Sequence, residues 1–245
     1  MGHVTVVGGC RAKAPSTGIL ASSLAVGTTV KLMENGTAVE YLVVNNGIPG
    51  NSSVYSSSCD GLWLLRKDIR ENRAWHSSRI NSYSGSSTNT YLNSTFFNLL
   101  GSIEQETVKQ VKIPYRAGAG YSKTVTGGES GLSVKVFLLS ATEIGAISSY
   151  SPTNEGSLLS YFESGSSTAS SKTKRIAYLN GTASYWWLRS PDCDSDWGME
   201  HSMHVPESGT WGSTACDTSK GIRPALILPN NALFDKNTLL LKGVA

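Results

Sequence analysis

Two apolar blocks near the C-terminal end constrain this chain more than any other feature. They are YWWLRSP at 185–191 and GIRPALILP at 221–229, and each reads as a buried strand. Between them runs DCDSDWGMEHSMHVPESGTWGSTACDTSK, rich in Asp, Ser, Gly, Thr, His and Trp, with no apolar periodicity. Loops longer than roughly 12–15 residues without structure of their own are uncommon in compact domains and are usually functional or disordered. With strands pinning both ends, the sequence predicts that 192–220 is a presented binding surface. Arg189 and Arg223 each interrupt an apolar block, where a charge is costly unless it is paired or bonded to carbonyls. Both are therefore expected to staple strand ends. Trp186 and Trp187 point to opposite faces of a strand, so at least one belongs to the core.

The polarity of the chain comes from Ser, Thr, Asn and Gly, since only 16% of residues are charged against 39% hydrophobic, which suits a turn-rich, strand-dominated fold. A net charge of +3 with no Lys/Arg stripe argues against nucleic acid as a partner. No apolar run approaches the roughly 20 residues that span a bilayer, so membrane insertion is not expected. The start, MGHVTVVGGCRAK, lacks the basic and apolar regions of a secretory signal. Four cysteines, Cys10, Cys59, Cys193 and Cys216, form no C-x-x-C unit, and Cys59 beside LWLL is expected to be a buried thiol.

Residues 1–25 read as an arm or docking segment, and 26–245 as one α+β domain with a small, interrupted antiparallel sheet and two or three short helices. Alternating residues around Asn35-Gly36 predict paired strands at 28–33 and 39–45, and Asn180-Gly181 predicts a second hairpin. The stretch RKDIRENR after Leu62–Leu65 is expected to continue as a short helix. Tyr91, Leu92, Phe96, Leu99 and Leu100 stand at helical spacings within 88–111, and Ser102 to Gln105 looks like a capping box. A buried strand is expected over 133–139, followed by a short helix capped by Ser140 and Glu143. The Ser-rich stretch 163–172 reads as a surface loop, and 239–241 as a closing strand.

No catalytic constellation stands out. His201, His204, Cys193 and Cys216 match no zinc spacing, and Asp192, Asp194 and Asp196 lack the Gly and Glu that complete a calcium loop. Gly128-Glu-Ser130-Gly131-Leu132 fails the nucleophile-elbow pattern at its last position, and no P-loop, GxGxxG or HExxH is present. No cofactor and no metal are expected.

Several stretches carry a resemblance: GTTVKLMENGTAVEYLVVNNGIP, SCDGLWLLRKDI, AWHSS, YLNSTF, KQVKIPY, GLSVKVFLLSATEIG, RIAYLNGT, WWLRSP and GIRPALILP, in this order. From about residue 25 onward the chain resembles uncharacterised domains of gut Firmicutes and their phages. These in turn are similar to the variable proteins of diversity-generating retroelements. That resemblance implies a C-type-lectin-like fold related to formylglycine-generating enzymes, a fixed scaffold and an adenine-rewritten contact segment. The scaffold would be Trp186 to Pro191, Val205, Gly209, Ala215 and Gly221 to Pro224. An AAC codon altered at its adenines can give Asp, His, Ser, Thr, Gly, Pro or Cys but never Met, Trp, Glu, Lys or Gln. Asp192, Cys193, Asp194, Asp196, His204, Pro206, Thr210, Gly212 and Asp217 fit rewritten sites, while Trp197, Met199, Glu200, Met203, Glu207, Trp211 and Lys220 come from fixed positions or other codons.

The expectation is therefore a protein that is not an enzyme and binds a protein or other macromolecule on a bacterial surface. It would work from a phage particle or a cell surface, with residues 1–25 available for oligomer or virion assembly. The contact residues would be those nine together with Trp197, Met199, His201 and Trp211, with Trp197 and Trp211 as aromatic anchors. One rival is a copper-dependent oxidase of the formylglycine-generating type using Cys193 and Cys216. A third reading is a structural virion protein.

Overall fold

The computed structural model describes residues 18–50, 52–165, 168–197 and 199–245, and for Ser52 and Trp197 the backbone alone. Residues 1–17 of the expected arm, Cys10 among them, lie outside the described residues. The remainder of that arm is part of the fold: Gly18–Leu20 pairs antiparallel with Ala232–Asp235, and Ala21 and Leu24 are buried in the core.

Two five-stranded sheets organise the molecule. The first, here the core sheet, runs in the order Val136–Phe137, Ala225–Leu228, Leu62–Arg66, Thr37–Asn46, Thr29–Glu34, and every pairing is antiparallel. Its outer hairpin forms as expected, because Asn35 and Gly36 both take positive φ (47° and 76°), the backbone that a two-residue hairpin turn needs. Val30 and Leu32 point inward while Thr29 and Lys31 are half-exposed, the period of two that marks one buried face. Leu62, Trp63, Leu64 and Leu65 are buried on both faces, with Trp63 packed edge-on against Tyr55 and Phe137.

The second, the site sheet, runs Gly212–Ala215, His201–Val205, Trp186–Pro191, Ser219–Ile222, Glu71–Ala74. It is mixed rather than antiparallel throughout, since Trp186–Pro191 and Ser219–Ile222 pair in parallel. The chain leaves it at Arg223-Pro224 and enters the core sheet at Ala225, so the right-hand block of the frame joins the two sheets. All six residues of Trp186–Pro191 are buried, both tryptophans included.

Three short α-helices occur among the described residues, Ser87–Tyr91, Ser102–Thr107 and Ala169–Arg175. The helical expectation over 88–111 holds in pieces. After Ser87–Tyr91 the chain widens to a π turn at Leu92–Phe96 and tightens at Phe97–Leu99. Ser102 lies inside its helix rather than capping it; Gly101 is the cap, and the Glu104 carboxylate accepts the Met33 N–H instead. Ser140 and Glu143 do exchange capping-box hydrogen bonds, but only turns follow them.

Two expectations fail outright. Within RKDIRENR, Glu71–Ala74 is an edge strand rather than a helix, because pairing with Ser219–Ile222 outweighs local propensity. The Ser-rich stretch ends in the helix Ala169–Arg175, which Thr168 caps by accepting the Ser171 N–H. The second hairpin, Tyr178–Leu179 with Thr182–Ala183, turns at Asn180 and Gly181 as read, and the closing strand lies at Leu241–Val244.

Candidate ligand-binding surface

The frame is held by two buried arginines. Arg189 is fully buried and grips Glu143 with two hydrogen bonds, Nη1 to Oε2 at 2.6 Å and Nη2 to Oε1 at 2.7 Å. Its remaining donors reach the carbonyls of Pro114, Leu138 and Glu155. Burial alone would lower its pKa, but the Glu143 charge and hydrogen bonds more than offset that and hold it above the usual range. Glu155 is buried beside it and accepts the Ser190 hydroxyl; desolvation raises its carboxyl pKa against the opposing pull of Arg189. Arg223 donates to the carbonyls of Arg66 and Lys67 and lies over the Trp186 ring, 4.9 Å from its centroid. Both arginines staple strand ends, as their interruption of apolar blocks implied.

Between these staples the segment 192–220 is not a loop. It crosses the sheet as His201–Val205, returns as Gly212–Ala215 and leaves through Ser219–Ile222. His201–Val205 is buried from Ser202 onward, and Ser202 donates its hydroxyl to the Ser190 carbonyl. The expected contact residues are consequently divided. Asp192, Cys193 and His204 are buried and present little side chain to solvent. Asp196, Met199 and Asp217 are exposed, with Met199 at 50%, while Asp194, His201, Pro206, Thr210, Trp211 and Gly212 are half-buried. Trp211 packs against the core, so it is not the free-standing anchor that its polar sequence suggested. The side chain of Trp197 lies outside the described residues.

The exposed and half-buried residues of the segment fall largely at the two ends of a five-residue strand. One end carries Asp194, Asp196, Met199 and Asp217, and the other carries Pro206 to Trp211. At roughly 3.3 Å per residue the ends stand on the order of 17 Å apart. The half-exposed edge strand Gly212–Ala215 runs from one to the other.

His204 occupies the middle of the sheet, across from Trp187 on one side and Gly212 on the other. Its ring meets the edge of Trp187 at 5.9 Å and lies 5.4 Å from Tyr185. Burial, with the Lys220 charge adding to it, pushes its pKa down to about 3, so the imidazole is neutral at physiological pH. Lys220 rests over Tyr185 at 4.1 Å, and the hydrogen-bonded Glu207 raises the Tyr185 phenol pKa.

Cys59, Cys193 and Cys216 are free buried thiols. Desolvation raises Cys193 to about 11 and Cys216 to about 12, which keeps both protonated. Pro191 and Thr214 pair with Ser202 from opposite sides, and each cysteine lies two residues beyond one of them. Both lie just past the ends of their strands, and the Arg116 charge opposes the effect of desolvation on each. Among the described residues no cluster of His, Cys, Asp or Glu is arranged to hold a metal ion.

Several residues that shape this region were not read from the sequence. Asn81 donates to the Asp192 carbonyl and accepts from Arg116 and from the Gly120 N–H, tying the segment's first residue to two loops. Arg175, fully buried, donates to the Gly209 carbonyl at 2.8 Å. Gly209, which the resemblance assigned to the scaffold, has φ 74°, and a Cβ there would stand 2.1 Å from the Lys172 carbonyl oxygen, so only glycine fits. Arg79 pairs with Glu200 and Asp217 at the exposed end. The sequence signal for Arg79 and Asn81 was faint, because Glu200 and Asp217, the partners of Arg79, and Asp192, the segment residue that Asn81 holds, are each more than a hundred residues away.

With this geometry in hand, comparison with known proteins gives one match. Residues 60–230 match the family described as domain of unknown function (DUF6273). The chain belongs to that family. The match begins just before Leu62–Arg66 of the core sheet and ends just after Ala225–Leu228, so it takes in the whole site sheet and both frame blocks of this DUF6273 member. No curated protein and no solved structure matches the chain.

Proposed function

We propose that this DUF6273 protein is a ligand-binding protein that displays a diversified surface on a C-type-lectin-like scaffold. It recognises a macromolecule on a bacterial surface and acts from a phage particle or a cell surface. The observation that carries the reading is the contrast within 185–229. The frame is buried from Trp186 to Pro191 and from Gly221 to Leu228 and its arginines bond only to the scaffold, whereas the segment it clamps turns polar side chains outward at both ends of the site sheet. Such a segment can change at its exposed positions without disturbing the frame.

Recognition would then be made of many shallow polar contacts, from Asp194, Asp196, Thr210 and Asp217, around Met199 and the exposed face of Trp211. Asp192, Cys193 and His204 support these residues from beneath rather than touching the ligand. The oxidase alternative draws no support from two free thiols that burial keeps protonated.

Sequencing the gene's surroundings tests the diversification. A near-identical copy of the DNA for 186–224, beside a reverse transcriptase, is expected, with differences at template adenines in codons such as those of Asp194, Asp196, Pro206, Thr210 and Asp217. Differences spread over all four bases, or concentrated in codons for the buried Ser202, Met203 and Val205, would refute it.

A further inference from the structure

Away from 192–220, a cleft of about 380 Å³ opens between the helical run at 87–99 and the strand Leu132–Val134. Its size falls within the usual range for small-molecule sites, roughly 300–1,000 Å³. Amides and hydroxyls from Asn89, Asn93, Gln110 and Ser133 line it, with one aromatic ring, Phe97, and one charge, Lys135. No carboxylate lines the cleft, and Lys135 makes no ion pair among those found in the described residues. Its ammonium instead rests 4.4 Å from the centroid of the Phe97 ring.

The walls are fixed. The π turn at Leu92–Phe96 carries Asn93, whose Oδ1 accepts the N–H groups of Lys135 and Val136 while its Nδ2 donates to the Val136 carbonyl and to Asn89. Gln110 donates its side-chain amide to the Ser133 hydroxyl at 3.0 Å. π turns inside helices are frequent at functional sites. Rigid positioning of polar groups is what orients a ligand rich in hydroxyls.

We propose that this cleft binds an acidic sugar unit, a hexuronate residue of a glycan. Its carboxylate meets the Lys135 ammonium where that rests on the Phe97 ring, and its hydroxyls exchange hydrogen bonds with Asn89, Gln110 and Ser133. A neutral sugar lacks the charge for Lys135, and a bare anion lacks the hydroxyls that the amides address. The site is separate from the segment 192–220, and the proposal does not rest on the function proposed for that segment.

The test is a titration of the whole chain with methyl glucuronide, methyl glucoside and inorganic phosphate, followed by the side-chain amide signals of Asn89, Asn93 and Gln110 in NMR. Saturable shifts of these signals with the glucuronide are expected, with the glucoside and phosphate each weaker. Lys135→Gln should weaken glucuronide binding about tenfold, the loss of roughly 1.4 kcal/mol, and leave glucoside binding unchanged. A folded Lys135→Gln variant that binds glucuronide as well as the parent overturns the proposal. So does equal binding of all three probes, or the absence of any saturable shift with the glucuronide.

Discussion

The core sheet and the site sheet have the same number of strands and are held together by different means. At the centre of the core sheet, Leu62 to Leu65 face Leu226, Ile227 and Val43, and burial of apolar area does the work. At the centre of the site sheet, Arg189, Ser190, Ser202 and His204 are buried where leucines would be expected. Buried polar groups stabilise only when bonded, so this sheet stands on a chain of specific hydrogen bonds: Arg189 to Glu143, Ser190 to Glu155, Ser202 to Ser190. The difference shows where the molecule is tolerant. Apolar positions accept neighbours of similar volume, whereas each polar staple has partners that fail with it.

Breaking the central staple should produce the largest effect. Arg189→Met leaves Glu143 and Glu155 buried without their counter-charge, and a loss of about 3–5 kcal/mol in denaturant unfolding is expected. Replacing all three together with Met and Gln should recover part of that loss, since no unpaired charge then remains. Arg223→Ala should cost less, roughly 1–3 kcal/mol, because it orphans two carbonyls but no carboxylate. If Arg223→Ala proved the more damaging, the join between the sheets rather than the buried ion cluster would be the stronger staple.

How much of this contrast could be read from the sequence depended on the same physics. Asn35-Gly36 and Asn180-Gly181 announced their hairpins, because positive φ narrows the choice of residues to a few. ALIL announced a buried strand by unbroken apolar character, and WWLRSP did so by its two tryptophans and leucine despite Arg189 and Ser190. His201–Val205 did not, since it keeps Met203 and Val205 at a period of two but fills the intervening buried positions with Ser202 and His204. The polarity that marked 192–220 as surface was therefore in part the polarity of a stapled interior. Glu71–Ala74 was equally hidden, because its charged residues lie on an edge strand whose partner is nearly 150 positions away. Asp194, Asp196 and Asp217 were read and are solvent-accessible, but Arg79, which holds Asp217 and Glu200, was not.

Acid should separate the sheets more gently. His204 titrates near pH 3 in the folded protein and near 6.5 when unfolded, so below about pH 6.5 the unfolded chain binds a proton that the native state refuses. Its contribution is complete above that pH and is lost as pH falls toward 3, with a slope of up to about 1.4 kcal/mol per pH unit. His204→Phe should flatten that part of the stability profile between pH 6.5 and 5. An unchanged slope would mean that the imidazole is not desolvated in the sheet. The smallest effect is expected at the exposed end, where Met199→Ala should alter stability by no more than about 0.5 kcal/mol.

The most direct measurement is a graft confined to the surface. Asp194, Asp196, Met199, Glu207 and Asp217 are exchanged for the residues of a DUF6273 relative, with Ser202 to Val205 and both frame blocks untouched. Thermal unfolding and attachment to a panel of intact bacterial cells are then compared with those of the parent. An unchanged melting temperature with a changed pattern of cells bound is the result predicted for a fixed scaffold carrying an exchangeable face. A parental binding pattern on a folded graft, or a graft that no longer folds, would contradict it.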